Sequence, residues 1–368
     1  MSSDMGKKIV FILNNVTITR CQKRVGEFID KGYDVDVYGF EKSGEEGYAT
    51  PPNYSISIIG SFSRNQSYYA RLIIYYKSLR NLFRKYKGKD VIYYYFFFNI
   101  AFAARLSCRC PFIYEESDMP YTGLKNNVIR KLFSYIDKRI IKDSILTVMT
   151  SEGFIDYHFG NEPPQNIVVV PNRVNPNLLG MPFKQKELDI NHLSIAFVGG
   201  FRYKSIYNFA TVIAEHFPQH EFHAYGIFLD READFKALCE KYSNIHFHGK
   251  FHNPDDLPTI YEQIDLVVAT YDASSINAQY AEPNKMYEAI FFRKPIIVSS
   301  NTFLAKKVDR LGIGYHINAL DKHEIISFVN GLNADDIKEK IKAIESIPQD
   351  KAVNKNPELF DYLEKCMV

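Results

Sequence analysis

The sequence lacks a long hydrophobic run. Its longest apolar stretch, VIYYYFFFNIAFAA (Val91–Ala104), is shorter than a membrane-spanning helix and carries Asn99 inside it. The apolar start KKIVFIL has five apolar residues before Asn14, too few for the apolar region of a signal peptide. These absences predict a protein that is not integral to a membrane and has no targeting segment. Val91–Ala104 is better interpreted as a buried strand running into a helix.

Cysteine pairs and an excess charge are lacking as well. The five cysteines are scattered, and although Cys108 and Cys110 are close, no second pair completes a zinc site. This spacing predicts a reduced, intracellular protein. The formal net charge of +2 is too small to indicate nucleic acid without a clustered basic face. Apolar residues make up 46% and charged residues 24%, which is typical of a globular chain.

Strands and helices alternate through the first half of the sequence. The predicted strands are KIVFIL, YDVDVYGF, DVIYYYFF, PFIYEE, SILTVMT and NIVVVPN, and amphipathic stretches that predict helices separate them. Strands separated by helices of this length indicate a parallel sheet covered on both faces.

The alternation restarts in the second half, with strands predicted at LSIAFVGG, EFHAYG, NIHFHG, IDLVVATY, KPIIVSS and GIGYHI. Before it, PNLLGMPFKQKELDIN has no clear period and indicates a linker. We therefore predict two tandem Rossmann-like, doubly wound α/β domains over residues 1–176 and 190–346, followed by a helical segment over 347–368. A ligand is expected in the interdomain cleft, where the carboxyl ends of the strands face each other.

A complete glycine-rich dinucleotide fingerprint is missing from both halves. The loop LNNVTITR of the first domain has no glycine, whereas the second domain opens with FVGGFRYKS. There, Gly199 and Gly200 allow close approach of the backbone, and free N–H groups at the following helix start favour an anion. Arg202 and Lys204 add two cations suited to a diphosphate. The alternative is a tight turn with ordinary surface cations.

A lysine and a glutamate stand three residues apart at a predicted helix start in AEPNKMYEA. Glu288 can accept two hydrogen bonds from a ribose diol, and Lys285, one turn earlier, can reach a phosphate. Pro283 fixes the turn before this helix. In isolation, such a pair is more often a surface ion pair.

Several segments in this order resemble the GT-B glycosyltransferases, in particular the family-4-like group of retaining enzymes. RVGEFIDKGYDVDVYGF is similar to that group's first helix and second strand, and VVVPNRVNP to its segment leaving the first domain. FVGGFRYKS resembles the phosphate-binding loop, NIHFHGKF the strand and loop near the base, and PNKMYEAIFFRKPIIVS the nucleotide-sugar helix and strand. The resemblance covers nearly the whole chain.

The resemblance implies a role for each matching position. It places Arg202 and Lys204 at the donor diphosphate and Glu288 at the ribose. The remaining residues of the predicted nucleotide-sugar site are Gly199, Gly200, Gly249, Lys250, Phe251, Glu282, Asn284 and Lys285, with the stretch 249–251 near the base. It also implies that the C-terminal helical segment crosses back to the first domain.

One position departs from the group's pattern. Many relatives carry two glutamates eight positions apart at this helix, the first touching the donor sugar, and here Tyr280 stands at the first position. Glu282 is nearby at a different spacing. Relatives with a segment like PNK commonly lack the first glutamate, so the departure looks like a trait of a subgroup.

Candidate catalytic residues follow a strand of the first domain, in YEESDMPY. Glu115, Glu116 and Asp118 can orient acceptor hydroxyls or act as a base. The alternative is that they cap the following helix. Retaining transfer in this fold is thought to depend on the donor phosphate and positioned dipoles more than on a protein nucleophile.

A metal is not expected. His246 and His248 would share one face of a strand, but the sequence supplies no carboxylate or cysteine set to complete a site. No cofactor is predicted beyond the nucleotide-diphosphate sugar, which is the substrate.

Two predicted helices of the first domain mix cations with aromatic and aliphatic residues. YYARLIIYYKSLRNLFRKYKGK includes Arg80, Arg84 and Lys85, and LKNNVIRKLFSYIDKRIIKD has a similar composition. A basic amphipathic surface can lie on anionic lipid, which suits an acceptor carried on a polyprenyl lipid. The alternative is ordinary covering helices with solvated lysines.

These patterns together predict a hexosyltransferase-type enzyme, retaining and metal-independent, that moves a sugar from a nucleotide-diphosphate sugar to a glycan or lipid-linked acceptor in cell-surface polysaccharide synthesis. The first domain would bind the acceptor and the second the donor. We expect a cytoplasmic protein, peripheral on the inner face of the plasma membrane, with no nucleic-acid partner. Two alternatives stay open: a nucleotide-sugar epimerase of related fold, and a non-catalytic sugar- or nucleotide-binding subunit.

Overall fold

A computed structural model describes residues 8–43, 53–63 and 65–367. The chain divides into two compact units. The first comprises the described residues up to Val170 together with those from Asn356 onward, and the second is Pro171–Lys355.

The first unit alternates strands of three to nine residues with helices, because short apolar runs alternate with amphipathic stretches in its sequence. Its elements before residue 171 are β1 (Lys8–Leu13), α1 (Thr19–Asp30), β2 (Val35–Ser43), β3 (Ser57–Ser63), α2 (Tyr68–Lys85), β4 (Val91–Phe96), α3 (Phe97–Arg105), β5 (Phe112–Glu116), α4 (Asn127–Asp143), β6 (Leu146–Met149), α5 (Glu152–Phe159) and β7 (Ile167–Val169).

These strands form one parallel sheet in the order β3-β2-β1-β4-β5-β6-β7. Aromatic rings fill its centre: Phe11 of β1 stacks on Tyr94 of β4, with ring centroids 4.7 Å apart, and contacts Phe28 of α1 edge-on at 5.2 Å. All residues of β4 are buried, as expected for a central strand covered on both faces. The prediction of a parallel doubly wound sheet is confirmed for this unit.

The strand β3 was not predicted from the sequence. This strand lies at the edge of the sheet, and of its residues only Phe62 is fully buried. A strand with so little burial has no clear hydrophobic period, and the period was the signal on which the predicted strands depended.

The second unit continues with β8 (Ser194–Phe201), α6 (Lys204–His216), β9 (Glu221–Phe228), α7 (Glu232–Lys241), β10 (Ile245–Gly249), α8 (Leu257–Glu262), β11 (Leu266–Ala269), α9 (Ile276–Tyr280), α10 (Asn284–Phe291), β12 (Ile296–Ser299), α11 (Phe303–Leu311), β13 (Gly314–Ile317), α12 (Lys322–Gly331) and α13 (Ala334–Glu345). The sheet is parallel, in the order β10-β9-β8-β11-β12-β13. Its strands are those that the sequence predicts.

The stretch interpreted as a linker, residues 176–191, belongs to the second unit. Phe183 packs on Phe292 with ring centroids 5.0 Å apart, and Lys186 Nζ lies 2.7 Å from the Asp265 carboxylate. Its aperiodic sequence reflects an irregular segment that covers a core instead of connecting two.

The last helix, α14 (Pro357–Met367), packs on the first unit. Leu359, Phe360 and Leu363 are buried in one core with the strands of that unit. Asn356, just before the helix, donates from its side-chain amide to both carboxylate oxygens of Glu27 on α1, at 3.1 and 3.2 Å.

Cys108 and Cys110 form a disulfide in this structure. The prediction of a reduced chain is therefore wrong for this pair, whereas Cys21, Cys239 and Cys366 are free thiols. Among the described residues, no helix has both the length and the apolar composition needed to cross a membrane.

Candidate functional site

The sheet of the second unit reverses its winding between β8 and β11. On one side of β8 lie β9 and then β10, and on the other side lie β11, β12 and β13. The chain therefore adds strands outward in opposite directions from the β8–β11 pair. Ligands of open α/β sheets bind outside the carboxyl ends of the strands at such a switch point. Here these ends carry Gly199 and Gly200 on β8 and the segment Thr270–Asp272 after β11.

Lys285 of α10 lies against Gly199. A Cβ at position 199 would be 3.2 Å from Lys285 Cε and 3.4 Å from Nζ, so the glycine leaves the space that the lysine occupies. Gly199 also has φ of +149°, and a Cβ at its cross-strand neighbour Gly226 would be 1.9 Å from the Gly199 carbonyl oxygen. The two motifs that the sequence analysis treated separately, FVGGFRYKS and PNKMYEA, therefore meet at the switch point.

The start of α6 is already occupied by a carboxylate. The backbone N–H groups of Lys204 and Ser205 donate to Asp272, at 3.3 and 3.1 Å. The expectation that these N–H groups are free for a ligand anion is therefore wrong in this structure. Asp272 lies three residues beyond β11, the strand next to β8. The partner of these N–H groups therefore comes from the other side of the switch point and is not visible in the local sequence.

Glu288 is the centre of a buried hydrogen-bonded group. Its Oε2 accepts from the Tyr261 hydroxyl at 2.7 Å, and its Oε1 accepts from the Asn284 amide at 2.7 Å and lies 3.5 Å from Lys285 Nζ. The residue is 2% exposed. Burial, followed by the charge of Glu288, raises the pKa of Tyr261 well above its usual range, so this hydroxyl stays a donor. The carboxylate therefore fixes the position of Lys285 and Asn284.

Glu282 is bound to other residues of the second unit. Its Oε2 is 2.8 Å from Lys307 Nζ and accepts from the Tyr287 hydroxyl at 2.8 Å, and its side chain is fully buried. A buried carboxylate with these partners anchors the segment before α10 to α11. In this structure it does not present an oxygen to a sugar.

The remaining predicted donor residues are exposed or partly buried in the same unit. Arg202 and Lys204 are exposed, and the Arg202 guanidinium lies over the Tyr203 ring, 5.2 Å from its centroid. Gly249 ends β10 with φ of +79°, Lys250 is exposed, and Phe251 packs against the core beneath α10.

Glu115 of the first unit is fully buried. Its Oε2 accepts from Arg24 Nε at 2.9 Å and from the Tyr94 hydroxyl, and Arg24 also pairs with Glu27. A sealed carboxylate that already neutralises a buried arginine cannot contact an acceptor hydroxyl in this structure. This placement argues against the catalytic role proposed for Glu115.

Glu116 is also fully buried, in a cluster with His158 and Asp137. His158 Nε2 is 2.8 Å from Glu116 Oε1 and 3.8 Å from Asp137 Oδ2, and the Tyr114 hydroxyl donates to Asp137 Oδ1 at 3.0 Å. Burial raises the pKa of Glu116 to about 8 and lowers that of His158 to about 4, and it also raises the pKa of Asp137. This interior position argues against Glu116 as an acceptor-binding residue.

Asp118 differs from both glutamates because it is exposed, two residues beyond the end of β5. The structure therefore separates three residues that the sequence analysis grouped: two belong to the interior, and Asp118 faces solvent.

The partners in these contacts were not predicted from the sequence: Arg24, Asp137, His158, Tyr261, Asp272 and Lys307. For Asp137 a signal existed, since it lies in line with Phe133, Ile140 and Ile141 on the buried face of α4. A charged residue within an apolar stripe predicts a buried partner. The other pairs join segments that are distant in sequence, such as Arg24 and Glu115, and carry no local pattern.

Solved structures with a similar fold include glycosyltransferases of the GT-B class. The sucrose-phosphate synthase from Thermosynechococcus elongatus aligns with a TM-score of 0.69 and 12% identity, covering 98% of this chain and 99% of that chain. HepE from Anabaena, in complex with UDP and glucose, aligns with a TM-score of 0.65 and 14% identity, covering 98% of this chain and 100% of that chain. The lipopolysaccharide outer core galactosyltransferase WaaB aligns with a TM-score of 0.62 and 15% identity, covering 98% of each chain.

These likenesses show that the chain has the GT-B fold, as its motifs predict. No family model and no curated protein matches the sequence.

Proposed function

We propose that this protein is a glycosyltransferase that uses a nucleotide-diphosphate sugar. The observation that carries the proposal is the contact of Lys285 with Gly199 at the switch point of the second unit. It puts a buried ammonium beside a backbone without a side chain, and that combination suits a diphosphate. HepE, which has the same fold, was solved with UDP and glucose, and this supports the choice of ligand class.

In the proposed complex, the charge of the diphosphate is met by Arg202, Lys204 and Lys285 instead of a metal ion. Positioned cations stabilise a leaving phosphate most where charge develops during bond breaking. Transfer of a hexose with retention of configuration is the proposed reaction. The loop Gly249–Phe251 would lie near the base.

Glu288 is proposed to bind the ribose. Its Oε1 already accepts from Asn284, a residue that is half-buried and lies at the start of α10. A ribose hydroxyl would replace this amide at the carboxylate, while Tyr261 continues to hold the other oxygen. The competing role is structural, with Glu288 only fixing Lys285.

The first unit is proposed to bind the acceptor, with Asp118 as the carboxylate that orients its hydroxyl or acts as a base. A glycan or a lipid-linked acceptor in cell-surface polysaccharide synthesis is the proposed class. That WaaB acts on lipopolysaccharide and shares this fold supports it.

A lipid-linked acceptor suits the surface formed by α2 and α4, which contact each other through Tyr68 and Phe133 with ring centroids 6.2 Å apart. We call this surface the α2–α4 face. Its exposed apolar residues are Tyr69, Ile73, Val128, Leu132 and Tyr135, and its exposed cations include Lys77, Arg80, Arg84, Lys131 and Arg139. Apolar side chains rimmed by cations favour an anionic membrane surface, so we propose peripheral attachment through this face.

Incubation with labelled nucleotide sugars tests the proposal. A transferase gives slow hydrolysis alone and transfer with acceptor, an epimerase gives an altered sugar without acceptor, and a binding subunit gives neither product. A thermal-shift screen of donors would come first, because a ligand at 100 times its dissociation constant stabilises the folded state by about 2.7 kcal/mol. Absence of both a shift and a product across the common nucleotide sugars would overturn the proposal.

A further inference from the structure

Three histidines and a glutamate gather on one face of the second unit's sheet, outside the site described above. Glu221 and His223 alternate along β9, and His246 and His248 alternate along the edge strand β10. Alternate residues of a strand point to the same face, and the register pairs His246 with His223. Phe222 and Ala224, on the opposite face, pack into the core under α7.

The polar atoms of this cluster converge. His223 Nε2 is 3.2 Å from Glu221 Oε2, and His246 Nε2 is 3.5 Å from Glu221 Oε1. One ligand atom from each of these three residues lies within 4.8 Å of the others. Ligands bound tetrahedrally at about 2.0–2.1 Å from a zinc ion stand roughly 3.3 Å apart, so small side-chain rotations bring these atoms to coordinating distance.

His246 Nε2 is the second observation. This nitrogen is shielded from solvent and makes no hydrogen bond within the described part of the chain, although it lies 3.5 Å from Glu221 Oε1. A buried polar atom without a partner is costly unless something binds it. It is directed toward the carboxylate of Glu221, where a cation would complete its bonding.

His248 has the position of a supporting residue. Its Nε2 is 3.0 Å from His223 Nδ1, the ring nitrogen on the side away from Glu221. A ligating histidine is commonly oriented by a hydrogen bond at its other ring nitrogen. His248 in turn stacks on Tyr225 with ring centroids 4.2 Å apart, and the Tyr225 hydroxyl donates to Gln263 at 3.3 Å.

We propose that Glu221, His223 and His246 bind a borderline divalent cation, such as Zn²⁺, with His248 as the positioning residue. Two imidazole nitrogens and a carboxylate are a ligand set that zinc accepts, with solvent at the remaining position. Glu221 is half exposed, which leaves a path for the ion. The ion would fasten β10 to β9 at the strand that leads into Gly249, away from the cations proposed to meet the diphosphate. The sequence-based expectation of no metal considered β10 alone, and β9 supplies the missing ligands.

The proposal is tested by titrating the full-length, chelator-treated protein with Zn²⁺ by calorimetry and with Co²⁺ by absorption spectroscopy. We expect one strong site per chain, visible d–d absorption typical of low-coordinate Co²⁺, and a higher melting temperature with Zn²⁺. His246→Ala and the shape-conserving Glu221→Gln should each weaken binding at least about tenfold, and His248→Ala by about 10–100-fold. A parent protein without a one-to-one site would overturn the proposal.

His192→Ala is the matched control, because His192 also lies beside a carboxylate, 2.9 Å from Asp189, but is exposed and stands outside the cluster. It should leave the strong site unchanged. If His192→Ala and His246→Ala weaken binding equally, the metal binds surface histidines without selectivity and the assignment is wrong. Melting curves of the metal-free variants establish that each is folded, and the outcome does not depend on whether a nucleotide sugar binds.

Discussion

The ammonium of Lys285 lies in the space left by the missing side chain of Gly199. The lysine is held there by the Glu288 carboxylate, at 3.5 Å, and by the side-chain Oδ1 of Asn284, which accepts from Lys285 Nζ at 3.3 Å. A lysine side chain fixed in this way loses little further conformational entropy when a ligand binds. A phosphate therefore gains more binding free energy from Lys285 than it would from a mobile surface lysine.

Gly199→Ala should disturb this arrangement. The new Cβ would be 3.2 Å from Lys285 Cε, and φ of +149° is unfavourable for alanine, so we expect a loss of about 1–3 kcal/mol in the free energy of unfolding. Affinity for a nucleoside diphosphate should fall as well. Urea unfolding and calorimetry measure the two effects. Gly200→Ala is the control, because its Cβ would meet only the end of the half-exposed Leu229 side chain. Equal effects at both positions would contradict the role of Gly199.

Arg202→Ala should weaken binding of a nucleoside diphosphate by roughly 1.5–3 kcal/mol, the size of a hydrogen bond to a charged group. The melting temperature of the ligand-free protein should stay nearly unchanged, since Arg202 is exposed. Arg231→Ala, an exposed arginine 3.3 Å from Asp234, is the control for loss of positive charge. Unchanged affinity in Arg202→Ala would remove this residue from the phosphate site.

Glu288→Gln separates the two roles of this carboxylate. If it binds the ribose, the substitution should cost about 1.5–3 kcal/mol in binding a ribonucleotide and less in binding the 2′-deoxy form, which lacks one hydroxyl. Competition binding with the two nucleotides measures the difference. Equal weakening of both would mean that Glu288 acts only through Lys285 and Asn284.

The buried cluster of Glu116, Asp137 and His158 predicts how stability depends on pH. The folded state holds a proton on Glu116 up to about pH 8, whereas the unfolded state loses it near 4.5, so this group lowers stability as the pH rises between these values. The His158 imidazole becomes neutral above about pH 4 in the folded state but only above about pH 6.5 in the unfolded state. This group therefore raises stability as the pH rises between these two values. The two oppose each other below pH 6.5, and above it the Glu116 effect remains, strengthened by Asp137.

The Glu116 proton alone should therefore lower the free energy of unfolding by roughly 1–2 kcal/mol between pH 6.5 and 8, at about 1.4 kcal/mol per pH unit, and Asp137 should add to this fall. Glu116→Gln, which is neutral at every pH, should flatten this slope. Denaturant unfolding at several pH values measures it, and Glu162→Gln at an exposed position is the control. A parent protein whose stability rises over this interval would show that the cluster is charged differently.

Replacing Lys77, Arg80 and Arg84 with glutamine should reduce sedimentation with anionic vesicles, because each cation near such a surface contributes about 1 kcal/mol. Lys85 is left in place, since its ammonium bonds to the Tyr38 hydroxyl. The same change at the exposed Lys236, Lys241 and Lys338 of the second unit is the charge-matched control. Vesicles that do not retain the parent protein at low salt would rule out the α2–α4 face as a membrane surface.

The strands and helices could be predicted from the hydrophobic periodicity of the sequence. The side-chain partners of the buried carboxylates could not. Alternating apolar runs predicted the strands of both sheets, with the exception of the weakly buried β3. The carboxylates Glu115 and Glu116 were placed correctly at the end of a strand. Their burial depends on hydrogen bonds to Arg24 and His158. These two residues lie on helices distant in sequence, so no local pattern around the glutamates predicts the contacts.

The same limit applies to the second unit. The spacing of Lys285 and Glu288 identified the helix start, but their burial depends on Tyr261 of α8 and Gly199 of β8. The histidines of β10 were recognised in the sequence. The neighbouring strand β9, which completes the proposed metal-binding cluster, was not, because strand order follows from topology and not from local composition.

The way α14 completes the first unit has a consequence for biosynthesis. Leu359, Phe360 and Leu363 fill a core whose other members precede residue 171. A ribosome therefore makes the entire second unit before it supplies these three side chains. The second unit, continuous from Pro171 to Lys355, can close its own core during translation, while the larger part of the first waits with an uncovered apolar surface. The nascent first unit is thus the portion most in need of a chaperone.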